Sequence, residues 1–382
     1  MNGYYSKKLQ QSKRYKELQE NIQLYYEYSL EKEHKQKSYL NSHKFINSKT
    51  GECVNIKYDF EQKYKEYSKV VYQRALSIQE HAKREFESQS MASAFITLTL
   101  PSQYYPFKSV KTKKGRLYVS ENEEFAFDSL KEAVSAGYKE LQKIYQTFYK
   151  RVKNLTDIKY IKSVEFSKQM VPHIHLVLFF SFDKLDHVRG TFKRVVEHFN
   201  LDRTDFQEVS FKANLNNAAK YLLKYITKDL NSGSDVFKMR VFDGAKRFHK
   251  IRVLTTSQLP LNVLVYKKIY NSVSNIEKNK INFKIDDNIN TVKEKIDKEV
   301  QKLGIPIYLY FQDNFSIEKT IISSKDRKVI KYGKRNSLIK VRIKTIKDGN
   351  TYKIREFQIK YMGTEIFRKE RYVKQINYDR RI

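Results

Sequence analysis

The chain has 382 residues, with 75 Lys or Arg against 43 Asp or Glu, a formal charge of +32, and 14% aromatic residues. That length accommodates two or three domains and a sizeable core, and the charge favours a polyanionic partner, most simply nucleic acid, although Lys, Ile, Asn and Tyr together are also what an AT-rich genome encodes. The one cysteine, Cys53, excludes an internal disulfide and a cysteine-based zinc cluster; no apolar run reaches the ~18 residues of a membrane span, and neither a signal core nor a G-x-x-x-x-G-K-[ST] phosphate loop is found.

Residues 1–90 read as helical, basic and rich in Tyr and Lys, interrupted at Thr50-Gly51-Glu52. The expectation is a solvated helical arm, able also to touch DNA. At Ser93 the texture changes. Ala94-Phe95-Ile96-Thr97-Leu98-Thr99-Leu100 alternates, is β-branched and ends at Pro101, which predicts a strand. A loop follows, then a basic excursion at Lys111-Thr112-Lys113-Lys114-Gly115-Arg116. Apolar spacing over 127–153 predicts a helix. Residues 158–166 and 173–180 predict a hairpin, 182–200 a helix, and 206–211 a short strand.

Next comes Lys220-Tyr221-Leu222-Leu223-Lys224-Tyr225-Ile226-Thr227-Lys228. Leu222, Leu223 and Ile226 make an apolar stripe, which predicts an amphipathic helix. Tyr221 and Tyr225 then point the same way, about 6 Å apart at Cβ, with the lysines in a row beside them. A phenol is a weak nucleophile at its free pKa of about 10 and needs a cation or metal nearby. Further on, Lys246-Arg247-Phe248-His249-Lys250-Ile251-Arg252-Val253 reads as a basic strand, and Leu259-Pro260-Leu261 as the start of an apolar helix. Residues 272–304 read as a linker. Period-2 runs at 305–311, 316–322, 338–346 and 352–361, with an Asp348-Gly349 turn, predict a small all-β domain.

The chemistry centres on Pro172-His173-Ile174-His175. On a strand the two histidines share one face, at a spacing suited to one divalent cation. Glu165, on the preceding strand, reaches that face across the hairpin, where paired residues lie ~5 Å apart. Two imidazoles and a carboxylate leave open positions for water and substrate, and suit Mg²⁺ or Mn²⁺. With a tyrosine pair, such a centre fits metal-assisted attack on a DNA phosphodiester.

These residues carry a resemblance. Phe95-Ile96-Thr97-Leu98-Thr99-Leu100-Pro101-Ser102, the His173/His175 motif and Tyr221-Leu222-Leu223-Lys224-Tyr225-Ile226-Thr227-Lys228 occur in the order and spacing of the HUH endonuclease superfamily. The chain resembles rolling-circle replication initiators of the phage replication gene A type, over about residues 90–255. The resemblance implies an α+β fold with a central antiparallel sheet of split β-α-β, ferredoxin-like type. It implies His173 and His175 as metal ligands with Glu165 as a third, Tyr221 and Tyr225 as nucleophiles, and Lys224 or Lys228 as their charge partners. It also implies cleavage of single-stranded or melted origin DNA to a 5′-phosphotyrosine and a 3′-OH, then rejoining.

Two departures are local. Tyr105 stands where related proteins often carry histidine, and Lys168-Gln169-Met170-Val171 lacks the usual turn glycine. The expected organisation is a helical region at 1–90, an endonuclease domain at 91–271, a linker at 272–304 and a β-rich domain at 305–382. The expected setting is cytoplasmic, with a host helicase and polymerase as partners and no membrane. Alternatives are a single-strand transposase or relaxase of the same superfamily, or a non-catalytic single-strand binder.

Overall fold

The computed structural model describes residues 5–46, 53–86, 90–111, 117–209, 235–259, 261, 266, 292–319, 321–322, 329–330, 345–348 and 351–374. They fall into two compact units, Met1–Ser257 and Gln258–Ile382. Among the described residues no helix is long and apolar enough to cross a membrane.

The first unit is α+β. Its sheet has five strands: β1 (Met91–Leu98), β2 (Lys159–Phe166), β3 (Pro172–Ser181), β4 (Asp205–Val209) and β5 (Leu254–Thr256). Their order is β4-β1-β3-β2-β5, and every neighbouring pair is antiparallel. The helices are α1 (Lys13–Ser42), α2 (Phe60–Phe86), α3 (Leu130–Lys153), α4 (Leu185–His198) and α5 (Val236–Phe248). A separate hairpin joins Phe107–Lys111 to Leu117–Glu121. The predicted succession of strand, helix, hairpin, helix and strand is therefore present from β1 to β4.

The two faces of the sheet differ. Ala94, Ile96 and Leu98 of β1 and Ile174, Leu176 and Leu178 of β3 share a core with Val134, Leu141 and Phe148 of α3 and Val188 and Val195 of α4. The alternate residues Phe95, Ile161, Val177 and Phe179 are also buried, and by strand alternation they face the other way. There α2 packs on β1, β2 and β3. It buries Val71, Ala75, Ile78, Ala82 and Phe86, and Glu85 pairs with Lys159 at 2.8 Å. Lys159 begins β2 and Glu165 lies near its end, so the Glu85 end of α2 sits at the far end of the strand from Glu165.

The N-terminal region is not a solvated arm. Tyr15, Leu18, Ile22 and Tyr25 of α1 are buried in the same core as the sheet. They recur at three- and four-residue steps, a stripe that the many tyrosines and lysines around it obscure. α1 packs on α5 so closely that a Cβ on Gly244 would lie 1.7 Å from the Tyr25 carbonyl oxygen. Asp243 beside it is 2% exposed. It accepts from Tyr64 (2.6 Å) and Ser29 (3.0 Å) and pairs with Lys246 (2.9 Å) and Arg247 (2.8 Å). His249 bridges Tyr25 Oη (2.7 Å) and Ser135 Oγ (2.8 Å), tying α1 to α3.

The basic strand expected over residues 246–253 is a correction. Lys246, Arg247 and Phe248 end α5, whose first turn is capped by Asp235 accepting from Lys238 N–H. Only Leu254–Thr256 is strand. Asp243 and Gly244 conceal the helix in the sequence, because both have low helix propensity.

The second unit is not all-β. Val292–Leu303 is a helix inside the stretch expected as a linker, with Ile296 buried. Residues 305–311, expected as a strand, instead lead into the helix Ile307–Asn314, with Pro306 at its N-cap. Tyr308, Leu309, Tyr310 and Phe311 are all buried, so the continuous apolar run carries no readable period. The expected strands are present farther on. Phe315–Lys319, Thr345–Asp348, Thr351–Tyr361 and Thr364–Lys374 form one sheet, with Asp348 opposite Thr351.

Candidate metal centre

The β2–β3 hairpin sets Glu165 directly opposite His173. His175 lies two residues along the same strand and therefore on the same face. Glu165 Oε2 is 2.9 Å from His175 Nε2 and 3.3 Å from His173 Nε2. All three donor atoms lie within 4.8 Å of one another. The side chains are 12% (Glu165), 16% (His173) and 7% (His175) exposed, so the group is sheltered but reachable from Glu165 and His173.

Burial alone would raise the Glu165 pKa. Hydrogen bonds and charge from His173 and His175 outweigh it and hold the carboxyl down at about 2. The group is an ionised oxygen ligand across the neutral range. Cis ligands on an ion with bonds of ~2.1 Å stand ~3 Å apart, and the two Glu165–imidazole separations match that spacing. The donor set of two imidazoles and one carboxylate fits Mg²⁺ or Mn²⁺ with open positions. The ion itself is not identified by the protein groups.

The turn that carries the hairpin is held without glycine. Met170 adopts φ +61°, a left-handed conformation that costs roughly 1–2 kcal/mol for a residue with a Cβ. Its side chain is buried, which offsets a similar amount. Ser167 Oγ accepts from the Gln169 and Val171 N–H groups. The Gln169 amide also pairs with both the N–H and the carbonyl of Phe107, each at 3.0 Å.

Residues 93–230 match a family model for the replication-associated protein ORF2. The match covers well under half of the chain, and it contains Glu165, His173 and His175. It supports a protein of the replication-initiator type, with DNA as partner. No curated protein and no solved structure matches the chain.

The sequence singled out all three members of the triad, and the fold brings them together. Tyr221, Lys224, Tyr225 and Lys228 lie outside the described residues, within the matched segment. Two neighbours were overlooked as part of the site. Thr97 Oγ1 is 3.2 Å from His175 Nδ1. The Phe95 ring stacks on the His175 imidazole, with centroids 5.6 Å apart. Both belong to the first motif, and their odd numbering on a strand was the available signal.

Tyr105, the other departure, is buried beneath the Arg203 guanidinium, 5.9 Å from its ring centre. Lys162 shares β2 with Glu165 but alternates to the opposite face. It donates to Gln142 at 2.8 Å and lies 4.0 Å from the Tyr145 ring centre. Burial and the charge of Arg252 push it down to about 8.

Proposed function

We propose that the chain is an HUH-type replication initiator that nicks and rejoins origin DNA. The observation that carries this reading is the Glu165–His173–His175 triad, formed on one sheet face inside the segment similar to replication-associated ORF2 proteins. Bound Mg²⁺ or Mn²⁺ would supply Lewis-acid polarisation of a non-bridging phosphate oxygen.

The protein groups do the rest. The phenol oxygen of Tyr221 or Tyr225 attacks the phosphorus of a DNA phosphodiester in line. The bond from phosphorus to O3′ breaks, and O3′ leaves with a proton as a free 3′-OH. The phosphate remains on the tyrosine as a 5′-phosphotyrosine ester. Because this ester retains the phosphoryl bond energy, a later 3′-OH reverses the step and reseals the strand. Two tyrosines let one hold the first 5′ end while the other cleaves again. Lys224 or Lys228 offsets phosphate charge and favours the phenolate.

On this reading the 3′-OH primes rolling-circle synthesis in a bacterial or phage-infected cytoplasm. A host helicase and polymerase provide unwinding and extension. The chemistry belongs to residues 91–271, and residues 305–382 serve as a docking surface.

The test is a covalent-adduct assay. The protein is mixed with single-stranded DNA from its own replicon and Mg²⁺ or Mn²⁺, then run on a denaturing gel. A shifted protein–DNA band is expected. It should vanish with chelator, with His173→Ala, and when Tyr221 and Tyr225 are both changed to Phe. Tight DNA binding with no adduct from any strand of the replicon would sink the nuclease reading in favour of a non-catalytic binder.

A further inference from the structure

A ligating imidazole uses one ring nitrogen, and the hydrogen bond made by the other fixes its tautomer and ring plane. In His175, Nε2 faces Glu165 Oε2 at 2.9 Å. The second nitrogen, Nδ1, lies 3.2 Å from Thr97 Oγ1. Thr97 stands opposite His175 in the β1–β3 ladder, so backbone register sets this contact. Phe95, two residues back on the same strand face, stacks on the imidazole at an interplanar angle of 22°. The ring is thus held in its plane by an aromatic group and addressed at Nδ1 by a hydroxyl.

We propose that Thr97 is a positioning residue for the metal ligand His175: its hydroxyl oxygen accepts the Nδ1 proton and so keeps the Nε2 lone pair toward the ion. The inference rests on the metal reading of the triad and adds a fourth residue, from a third strand. A hydroxyl suits the task because it accepts at short reach without bringing charge. Threonine also suits a half-buried strand position. An aliphatic residue of equal size would fill the space and leave the ring nitrogen without this acceptor.

The experiment uses the full-length protein and Mn²⁺ alone, titrated by calorimetry, on wild type, Thr97→Val, Thr97→Ser and Thr97→Ala. Thermal melting confirms that each variant is folded. Removing such a supporting group should weaken Mn²⁺ binding about 10- to 100-fold in Thr97→Val and Thr97→Ala, with Thr97→Ser remaining within about threefold of wild type. Thr97→Val binding Mn²⁺ as tightly as wild type overturns the proposal. Thr97→Ser as weak as Thr97→Val also overturns it, because packing rather than the hydroxyl would then be responsible. A wild-type protein that takes up no Mn²⁺ removes the metal reading and the role of Thr97 with it. Intact Mn²⁺ binding without a covalent DNA adduct removes the nuclease chemistry and leaves the role of Thr97 standing.

Discussion

Two buried carboxylates in the first unit, Asp243 and Glu165, are both held below the usual carboxylate range, for different reasons. At Asp243 burial pushes upward, and the Lys246 charge with hydrogen bonds from Tyr64, Lys246 and Arg247 pulls further down. Its partners include two permanent cations, and its 2% exposure leaves no room for a ligand. At Glu165 the opposing groups are two histidines, which lose their protons near neutrality. The first arrangement is complete in itself and ties three helices. The second exchanges protons for a metal ion and remains reachable from one side. The identity of the partners, more than burial, separates a structural carboxylate from a ligand.

The contrast can be broken by substitution. Gly244→Ala acts at the Asp243 end and should have the largest effect. A Cβ there meets the Tyr25 carbonyl oxygen at 1.7 Å, a backbone atom with no rotamer to yield. A loss of about 3 kcal/mol or more is expected in chemical denaturation, at or beyond the upper end for overpacking.

Asp243→Asn should cost about 3 kcal/mol, because Lys246 and Arg247 then lose their buried counter-charge. Glu165→Gln at pH 7.5 should instead stay within about 1 kcal/mol of wild type, since the amide oxygen still accepts from an imidazole. It should nevertheless reduce Mn²⁺ affinity in calorimetry far below wild type. Comparable destabilisation by both substitutions would erase the distinction.

His249 sharpens the comparison with pH. Burial, with Lys131 nearby, pushes its pKa from 6.5 down to about 4. The unfolded chain therefore takes up this proton first as pH falls. The stability contributed by the neutral ring is fully present above about pH 6.5 and is lost toward pH 4. His249→Gln should flatten the slope of unfolding free energy against pH across that window, even if it lowers stability at neutral pH. An unchanged slope would mean that the ring is protonated in the folded protein.

The sheet and the triad were legible in the sequence because their signals are short-range. Alternation in Ala94-Phe95-Ile96-Thr97-Leu98 and the His173/His175 spacing need only a strand, and Glu165 needs only the adjoining hairpin. What was misread depends on distant partners. The burial of Asp243 and Gly244 makes sense only with α1 present, and neither reads as helix in isolation. Tyr15 and Tyr25 look like surface residues until the sheet core encloses them. Thr97 lay inside a quoted motif, but its partner became visible only with the β1–β3 register.

The clasp between α1 and α5 also bears on the timing of synthesis. Tyr25 and His249 are 224 residues apart. At ribosomal speeds of about 5–20 residues per second, α1 waits roughly 10 to 45 s for its partner to be made. Throughout that interval the Tyr15, Leu18, Ile22 and Tyr25 stripe has no finished core to enter. The nascent chain thus carries an exposed, sticky helix for most of its translation, and a chaperone that shields it would raise the yield of active initiator more than one acting after release.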